Sequence, residues 1–297
     1  LSPQGLFWTY KAEKDIMEGS GLALKFVQFV FWGRDILIKP GLYEQVINAG
    51  ISRELSDVPA ARKSVAPIDQ AEASKVLSQY LSAVVQKGLE NVLDHGGDLS
   101  SQVALANQIV AIIQKAAGEQ DFTELSVDER AELLLALLQE RDPGLLSGKT
   151  ADQVSRPETS IAQSSLFTGA VHEPQMYSEL KKEIGSADRI DMLVSFIKWS
   201  GLRLIMEELK EFVQSGGRLR VITTSYMGAT DIKAIEELNK LPHTRIRVSY
   251  DTKRTRLHAK AYVFYRDTGF TTAYIGSSNL SNAAISSGLE WNVKVTA

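Results

Sequence analysis

The chain has 297 residues, with 33 lysines and arginines against 36 aspartates and glutamates, which gives a formal net charge of -3. That length is enough for two domains with separate cores, and a composition of 44% hydrophobic and 23% charged residues is that of a folded chain. There is no cysteine, which excludes a disulfide framework, a thiolate metal site and a thiol nucleophile, and favours a reducing, cytoplasmic location. Because the net charge is slightly negative, any binding to nucleic acid needs a local basic patch.

Residues 1–40 form an unassigned N-terminal segment. Its most apolar stretch, residues 21–38, contains Lys25, Arg34 and Asp35 within a length that barely spans a bilayer. We therefore expect neither a membrane partner nor a signal peptide. The chain starts at a leucine and ends in a strand-like WNVKVTA, so we expect a piece of a longer protein whose last domain is truncated at the C-terminus.

Residues 41–150 are predicted to form an all-helical module. Apolar residues recur at three and four positions through residues 77–92, which is the period of an amphipathic helix. A D-x-x-E pattern at residues 69–72 resembles a capping box, and the glycine pair at 96–97 predicts the helix end. A second pattern, S-x-x-E at residues 126–129, predicts a helix through AELLLALLQE.

A stretch rich in serine, threonine, glycine and proline at residues 142–165 predicts the domain boundary. Within it, the sequence SGKT at residues 147–150 resembles the end of a phosphate-binding P-loop. That motif needs a glycine where Pro143 stands, and it follows a strand. We interpret the stretch as a loop.

Residues 156–297 are predicted to form an α/β domain. From Ile190 onward, β-rich runs alternate with helical runs, which predicts parallel pairing between the early strands. The runs KAYVFY and TAYIG lie close together around Asp267, Thr268 and Gly269, which predicts an antiparallel hairpin. The fold class expected for the whole chain is therefore α/β, with a helical module followed by a domain containing a mixed sheet.

Three short motifs of this domain carry chemistry. His258 and Lys260 are two positions apart, hence on one face of a strand, where both can meet one phosphate. Gly276, Ser277, Ser278 and Asn279 follow where a strand gives way to a predicted helix, which suits backbone and side-chain binding of phosphate. Further on, Glu290 begins another strand-like run, and we expect its carboxylate to hold the His258 ring.

This pattern resembles the signature of the phospholipase D superfamily, H-x-K, four residues, D, and then G-S-x-N. His258, Lys260 and the G-S-x-N residues match, whereas Tyr265 stands where the family has aspartate and the nearest acid is Asp267. In the nuclease branch of the family an acidic residue downstream of G-S-x-N also serves, and Glu290 fits that position. The resemblance implies a nuclease in preference to a lipase or a synthase.

The resemblance extends beyond the motif. SLFTG, LVSFIKWSGL, VITTSYMGATD and LHAKAYVFYR are similar to the nuclease-type domain found ahead of superfamily 2 helicase cores in bacterial proteins. GLYEQVIN and LSQYLSAVVQKGLENV are similar to the helical segment that precedes it. The resemblance therefore implies an α-β-α domain over residues 156–297 and a linked helicase core in the full-length protein.

The resemblance also implies a mechanism that needs no metal and no cofactor. His258 attacks phosphorus to form a covalent phosphohistidine, while Lys260 and Asn279 bind the non-bridging oxygens. A second acid is required, but neither His172 nor His243 has a lysine two positions later. Because single-motif nucleases of the family pair two subunits, we expect a homodimer that shares one active site.

A basic stretch precedes the histidine, with six basic residues and one acid between residues 245 and 260. The functional interpretation is a rim that binds the backbone of nucleic acid, DNA in preference to RNA, and the alternative is a solvated strand edge. The rim residues are Lys253, Arg254 and Arg256, with Lys198, Thr224, Tyr226 and Ser195 as weaker candidates at strand ends. The rival function is a catalytically quiet module that binds nucleic acid or a partner for a helicase.

Overall fold

The computed structural model describes residues 38–118, 122–137, 154–170, 173–251, 253 and 256–296. These residues divide into two compact units, one up to Leu135 and one from Ala136 onward. Nearly all of the apolar run at 21–38, and the whole SGKT sequence at 147–150, lie outside the described residues, as do His172 and Arg254. No helix in the described ranges is long and apolar enough to cross a membrane. The predicted bounds of 41–150 and 156–297 remain predictions.

The first unit contains the helices that the apolar periodicity predicts. They are α1 (Ala49–Ser56), α2 (Ala73–Asp94) and α3 (Leu99–Ala117), and α2 packs against α3. The Asp98 carboxylate caps α3 by accepting from the backbone N–H of Ser101 at 2.9 Å. The helix α2 ends where the glycine pair predicts, and Gly96 adopts the left-handed conformation at φ 85°.

Two helix predictions in this unit are wrong in detail. The Asp69 carboxylate accepts from the backbone N–H of Ala71 at 2.9 Å, which makes a turn, and the helix begins only afterwards. Residues 131–137 have no regular structure, although their sequence predicts a helix. The Asn107 side chain bonds both backbone groups of Val127, at 2.8 and 3.0 Å, and so holds the chain outside a helix where the S-x-x-E cap was expected.

The second unit alternates strands and helices in the predicted order. The strands are β1 (Ser165–Phe167), β2 (Arg189–Val194), β3 (Arg218–Thr224), β4 (Thr244–Ser249), β5 (Lys260–Tyr265), β6 (Thr272–Gly276) and β7 (Asn292–Thr296). The helices are α4 (Met176–Ile184), α5 (Trp199–Leu202), α6 (Met206–Gln214) and α7 (Ile232–Asn239), and a π-helical turn covers Ala283–Ser287. The α/β class is confirmed.

All seven strands form one sheet in the order β1-β7-β6-β5-β2-β3-β4. The pairs β2 with β3 and β3 with β4 are parallel, because helices connect these strands. The remaining pairs are antiparallel, including the predicted hairpin of β5 and β6. The predicted mixed sheet is therefore confirmed, and this topology brings the ends of β2, β3 and β4 to the same edge as the start of β5.

One face of the sheet carries the core of this unit. Buried and accessible side chains alternate along the strands, and the helices pack on the buried face. The shared core includes Leu180, Ile190, Leu209, Val221, Tyr262, Phe264 and Tyr274. The opposite face of β2, β3 and β4 carries the accessible members of the alternation.

A buried carboxylate fastens α4 to the far strands of the sheet. Glu183 is fully buried and accepts from Thr272 Oγ1 at 2.7 Å and from the Tyr274 hydroxyl at 3.0 Å. It also pairs with Arg266 at 2.5 Å and Lys294 at 2.8 Å. Burial acts to raise the pKa of Glu183, but the two cations outweigh it and hold the pKa below its ordinary value. These contacts fix β6 and β7, whose ends carry the candidate site.

Candidate functional site

The candidate site lies at the edge of the sheet where β2 ends and β5 begins. Lys260 is the first residue of β5 and pairs with Val194, the last residue of β2. His258 lies two residues earlier, in a segment without regular secondary structure. The sequence therefore predicts the approach of the two side chains correctly, although only Lys260 belongs to the strand.

The Lys260 ammonium group contacts the imidazole of His258. Lys260 Nζ lies 3.0 Å from Nε2 and 3.1 Å from Nδ1, and it donates to the His258 carbonyl oxygen at 3.0 Å. Lys260 is 7% exposed, whereas His258 is exposed. Burial lowers the pKa of Lys260, and the negative charge of Glu290 partly opposes that effect. A cation thus lies beside an accessible imidazole.

The second motif begins at a glycine that the sheet requires. Gly276 ends β6 and pairs with Asn292, and a Cβ at this position would lie 2.6 Å from the Asn292 Cα and would collide with the Trp291 carbonyl. The next residue, Ser277, donates its backbone N–H to that carbonyl at 3.0 Å. Glycine therefore allows β7 to approach, and Ser277 leaves the strand with its side chain exposed.

Asn279 contributes an amide that is anchored on one side. It is 8% exposed, and its Oδ1 accepts from the backbone N–H of Phe196 at 3.2 Å. No hydrogen bond among the described residues uses Asn279 Nδ2, so its two N–H groups are available to a ligand.

The loop after β2 joins the two motifs. Ser195 donates from its hydroxyl to the carbonyl oxygen of Ala259, which lies between His258 and Lys260, at 3.3 Å. The neighbouring Phe196 binds the Asn279 amide. Adjacent residues of one loop therefore position both halves of the predicted motif, and the Ser195 hydroxyl, a predicted phosphate ligand, is engaged by Ala259.

Three features of this site differ from the predicted contacts. The Glu290 carboxylate accepts from the Ser277 hydroxyl, and among the described residues no hydrogen bond joins it to His258, so the expected clamp on the ring is absent. Ser278 is fully buried, accepting from the Asn292 amide at 2.8 Å, and serves the interior instead of a phosphate. No helix starts directly at the motif either, because irregular chain through residue 281 precedes the short π-helical turn.

Two further candidates already have polar partners within the protein. Thr224 is buried and donates to the Ser249 carbonyl at 3.0 Å, so its hydroxyl joins β3 to β4. Lys198 forms an ion pair with Asp231 at 3.1 Å. The Trp199 backbone N–H and Lys198 lower the pKa of Asp231. The Thr224 hydroxyl and the Lys198 ammonium group are therefore both engaged by neighbouring residues, and their predicted contact with phosphate stays a prediction.

The basic stretch does not form one rim. Lys253 and Arg256 lie between β4 and β5 and are exposed, and the Arg256 guanidinium lies 5.2 Å from the centre of the Tyr226 ring. Arg245 and Arg247 instead lie within β4, with exposed side chains. Arg254 lies outside the described residues. The strand end thus separates the stretch into two groups.

Tyr265, the departure from the resemblance, lies far from His258. It ends β5, opposite Arg189 in the register, and the Arg189 guanidinium covers its ring at 3.6 Å from the centroid. The five residue steps of β5 from Lys260 to Tyr265 correspond to roughly 17 Å. The substitution therefore concerns packing at the other end of the strand.

Sequence reasoning missed two residues that shape the site. Asn292 is buried on β7 and donates to the Ser278 hydroxyl. An amide at an inward-facing position of a strand indicates such a buried hydrogen bond and could have been recognised in the sequence. Tyr262 is buried on β5 and donates to the Ser278 carbonyl at 3.1 Å, and burial raises the pKa of its phenol. In the parts of the chain that the structure describes, no group of three His, Asp or Glu side chains is placed to hold a metal ion.

Comparisons with known proteins cover the second unit. Residues 180–297 match the family model described as cardiolipin synthase, PLD-like domain. NucT from Helicobacter pylori is similar, with 22% identity over 44% of this chain and 84% of that chain at a TM-score of 0.36. Nuc from Salmonella typhimurium, a phospholipase D family member, is similar with 21% identity over 45% and 84% at 0.33. No curated protein matches the sequence.

Proposed function

We propose that the phospholipase D-like domain at residues 180–297 is a phosphodiesterase that hydrolyses nucleic acid through His258. The observation that carries this proposal is the shared support of the two motifs. Ser195 and Phe196 hold the His258-Lys260 segment and Asn279 at one edge of the sheet. An imidazole, an ammonium group and an amide with free N–H groups are the side chains that a phosphoryl transfer needs.

The reaction has two displacements at phosphorus. In the first, a neutral ring nitrogen of His258 attacks phosphorus, the bond to the leaving oxygen breaks, and that oxygen takes a proton from a second acid. In the second, water gives its proton to the same group and attacks phosphorus, which breaks the phosphorus–nitrogen bond and frees the imidazole. Lys260 and Asn279 bind the non-bridging oxygens throughout, as charge develops on them.

The second acid must be another residue, because His258 itself is the nucleophile. His243 precedes β4, whereas the site lies at the end where β4 finishes, a separation of roughly 17 Å along the strand. We propose that His258 of a second copy supplies the proton, in a homodimer that shares one site. This arrangement suits the exposure of the His258 side chain.

Nucleic acid is the substrate class that the charges favour, with DNA preferred to RNA. Lys253 and Arg256 are exposed and lie between β4 and His258 in the chain, and such cations bind a phosphate backbone with an affinity that falls as salt rises. We further propose that the chain acts as the front part of a helicase-linked protein. That context rests on the sequence resemblance alone.

The test of catalysis uses the full chain with single- and double-stranded DNA and RNA in excess EDTA. We expect cleavage by the wild type, none by His258→Ala, and full cleavage by His243→Ala, whose exposed histidine lies at the other end of the sheet. Acid-labile labelling of the wild type by substrate phosphate identifies the phosphohistidine. Equal cleavage by His258→Ala refutes the assignment. Binding without cleavage by the wild type favours the quiet module.

The shared site has a separate test. Wild type and His258→Ala are mixed, allowed to exchange subunits, and assayed at constant total protein. If both histidines are needed, only wild-type pairs are active, so an equal mixture retains about a quarter of the activity. Retention of about half, or a strict monomer in analytical ultracentrifugation, refutes the shared site.

A further inference from the structure

The outward face of β2, β3 and β4 carries an unusual concentration of arginines. Side chains that alternate along a strand share a face, and residues directly opposite in neighbouring strands also share it. By both criteria, five arginines lie on this face, which we call the arginine face. They are Arg189, Arg218, Arg220, Arg245 and Arg247.

The register places arginines directly opposite one another. Arg189 pairs with Arg218 across β2 and β3, and Arg220 pairs with Arg245 across β3 and β4. On the outward face of these three strands, all of whose residues the structure describes, Asp191 is the single acid. The Asp191 carboxylate forms a bidentate ion pair with the Arg220 guanidinium. The face therefore remains strongly positive in a chain whose net charge is -3.

The fold gains nothing from these opposed cations. Like charges directly opposite in a sheet are destabilising. Within the described ranges, no carboxylate lies at ion-pair distance from Arg218, Arg245 or Arg247, and all three side chains are exposed. The Arg189 guanidinium packs on the Tyr265 ring, and the Arg220 guanidinium is bound by Asp191. An arrangement that costs stability and leaves guanidinium groups open is suited to binding an anion.

We propose that the arginine face binds the phosphate backbone of nucleic acid outside the catalytic edge. Its guanidinium groups extend from positions about 4.8 Å apart between strands and about 7 Å apart along a strand, so several phosphates of one polymer can be bound together. The strand β4, which carries Arg245 and Arg247, ends at Ser249, at the same edge of the sheet where Lys260 begins β5.

The choice of nucleic acid as the polyanion rests on the proposed function. The surface itself does not require catalysis, so its test uses the full chain in the His258→Ala background, where bound substrate is not cut. The probe is a fluorescent single-stranded DNA, titrated at several salt concentrations. The variant is Arg245→Ala with Arg247→Ala. The control is Lys210→Ala with Lys240→Ala, which removes the same charge from two surface lysines, one on α6 and one directly after α7.

We expect the arginine variant to lower the salt slope of log K by about 1.4, since each phosphate contact to a single strand contributes about 0.7. If the variant and its parent bind DNA equally at 1 M salt, this difference in slope makes the variant bind about 25-fold more weakly at 0.1 M salt. The control leaves slope and affinity unchanged. Equal binding by the arginine variant and the control overturns the proposal.

A second arm distinguishes an acidic protein from nucleic acid. Polyglutamate replaces DNA as the probe, and a loss of polyglutamate binding with DNA binding unchanged overturns the proposal in favour of an acidic protein partner. A wild type that cuts no phosphodiester, beside arginine-dependent DNA binding by His258→Ala, refutes the proposed function and supports the arginine face. The two proposals therefore fail separately.

Discussion

Replacement of Glu183 by glutamine tests the buried network that fixes β6 and β7. The substitution keeps the shape of the side chain but removes its charge, and leaves two buried cations, Arg266 and Lys294, without a counter-ion. Removing one partner of a buried ion pair costs about 3–5 kcal/mol. A domain of this size is stable by about 5–15 kcal/mol, so a cost of about 3–5 kcal/mol removes roughly a fifth or more of the free energy of unfolding.

The measurement is urea unfolding followed by circular dichroism, with thermal unfolding alongside. A loss of about 3–5 kcal/mol lowers the Tm by roughly 6–20 °C for a unit of this length. The matched control is Glu207→Gln, whose carboxylate is 77% exposed and pairs with Lys210, and it costs less than about 1 kcal/mol. Adding Lys294→Met to Glu183→Gln removes one unpaired cation and restores part of the loss.

The same network makes stability depend on pH. The folded pKa of Glu183 lies below its ordinary value of 4.5, so the unfolded chain takes up the proton first as pH falls. The stabilisation that ionised Glu183 provides is complete above about pH 4.5 and is lost as the pH falls through the folded pKa of Glu183. Glu183→Gln therefore shows a smaller loss of stability in acid than the wild type. Equal urea midpoints for Glu183→Gln and Glu207→Gln at neutral pH would refute this account of the network.

Three further predictions concern the site. Gly276→Ala forces the new Cβ against the Trp291 carbonyl and lowers the free energy of unfolding by about 2 kcal/mol or more in urea, whereas Gly185→Ala, whose nearest atom is 3.5 Å away, is neutral; equal costs contradict the close approach. Burial lowers the pKa of Lys260, so Lys260→Arg, which stays charged, moves the alkaline limb of hydrolysis of a small phosphodiester to higher pH, and an unmoved limb contradicts a need for this charge. Glu290→Gln removes a charge that raises the pKa of Lys260, so the alkaline limb moves to lower pH; a profile identical to the wild type shows that Glu290 does not act on Lys260.

The sequence by itself determined the local elements of the second unit. The runs RLRVITT, KAYVFY and TAYIG coincide with β3, β5 and β6, because alternation of apolar residues and flanking turns act over a few residues. The spacing of His258 and Lys260, together with the G-S-x-N segment, also identified two segments that the structure holds at one edge of the sheet. These residues are close together in the sequence or lie at strand ends, so a short sequence pattern is enough to identify them.

Only the tertiary structure decided which partners the side chains choose. Glu290 binds Ser277 instead of the histidine, and Ser278 faces the interior, because the register of β6 with β7 brings residues 13 and 14 positions apart into contact. The helix predicted after the S-x-x-E pattern is replaced by irregular chain, where a distant asparagine binds the backbone. The arginine face gathers residues from three strands. Strand order and register are set by packing across the whole sheet, and no short stretch of sequence encodes them.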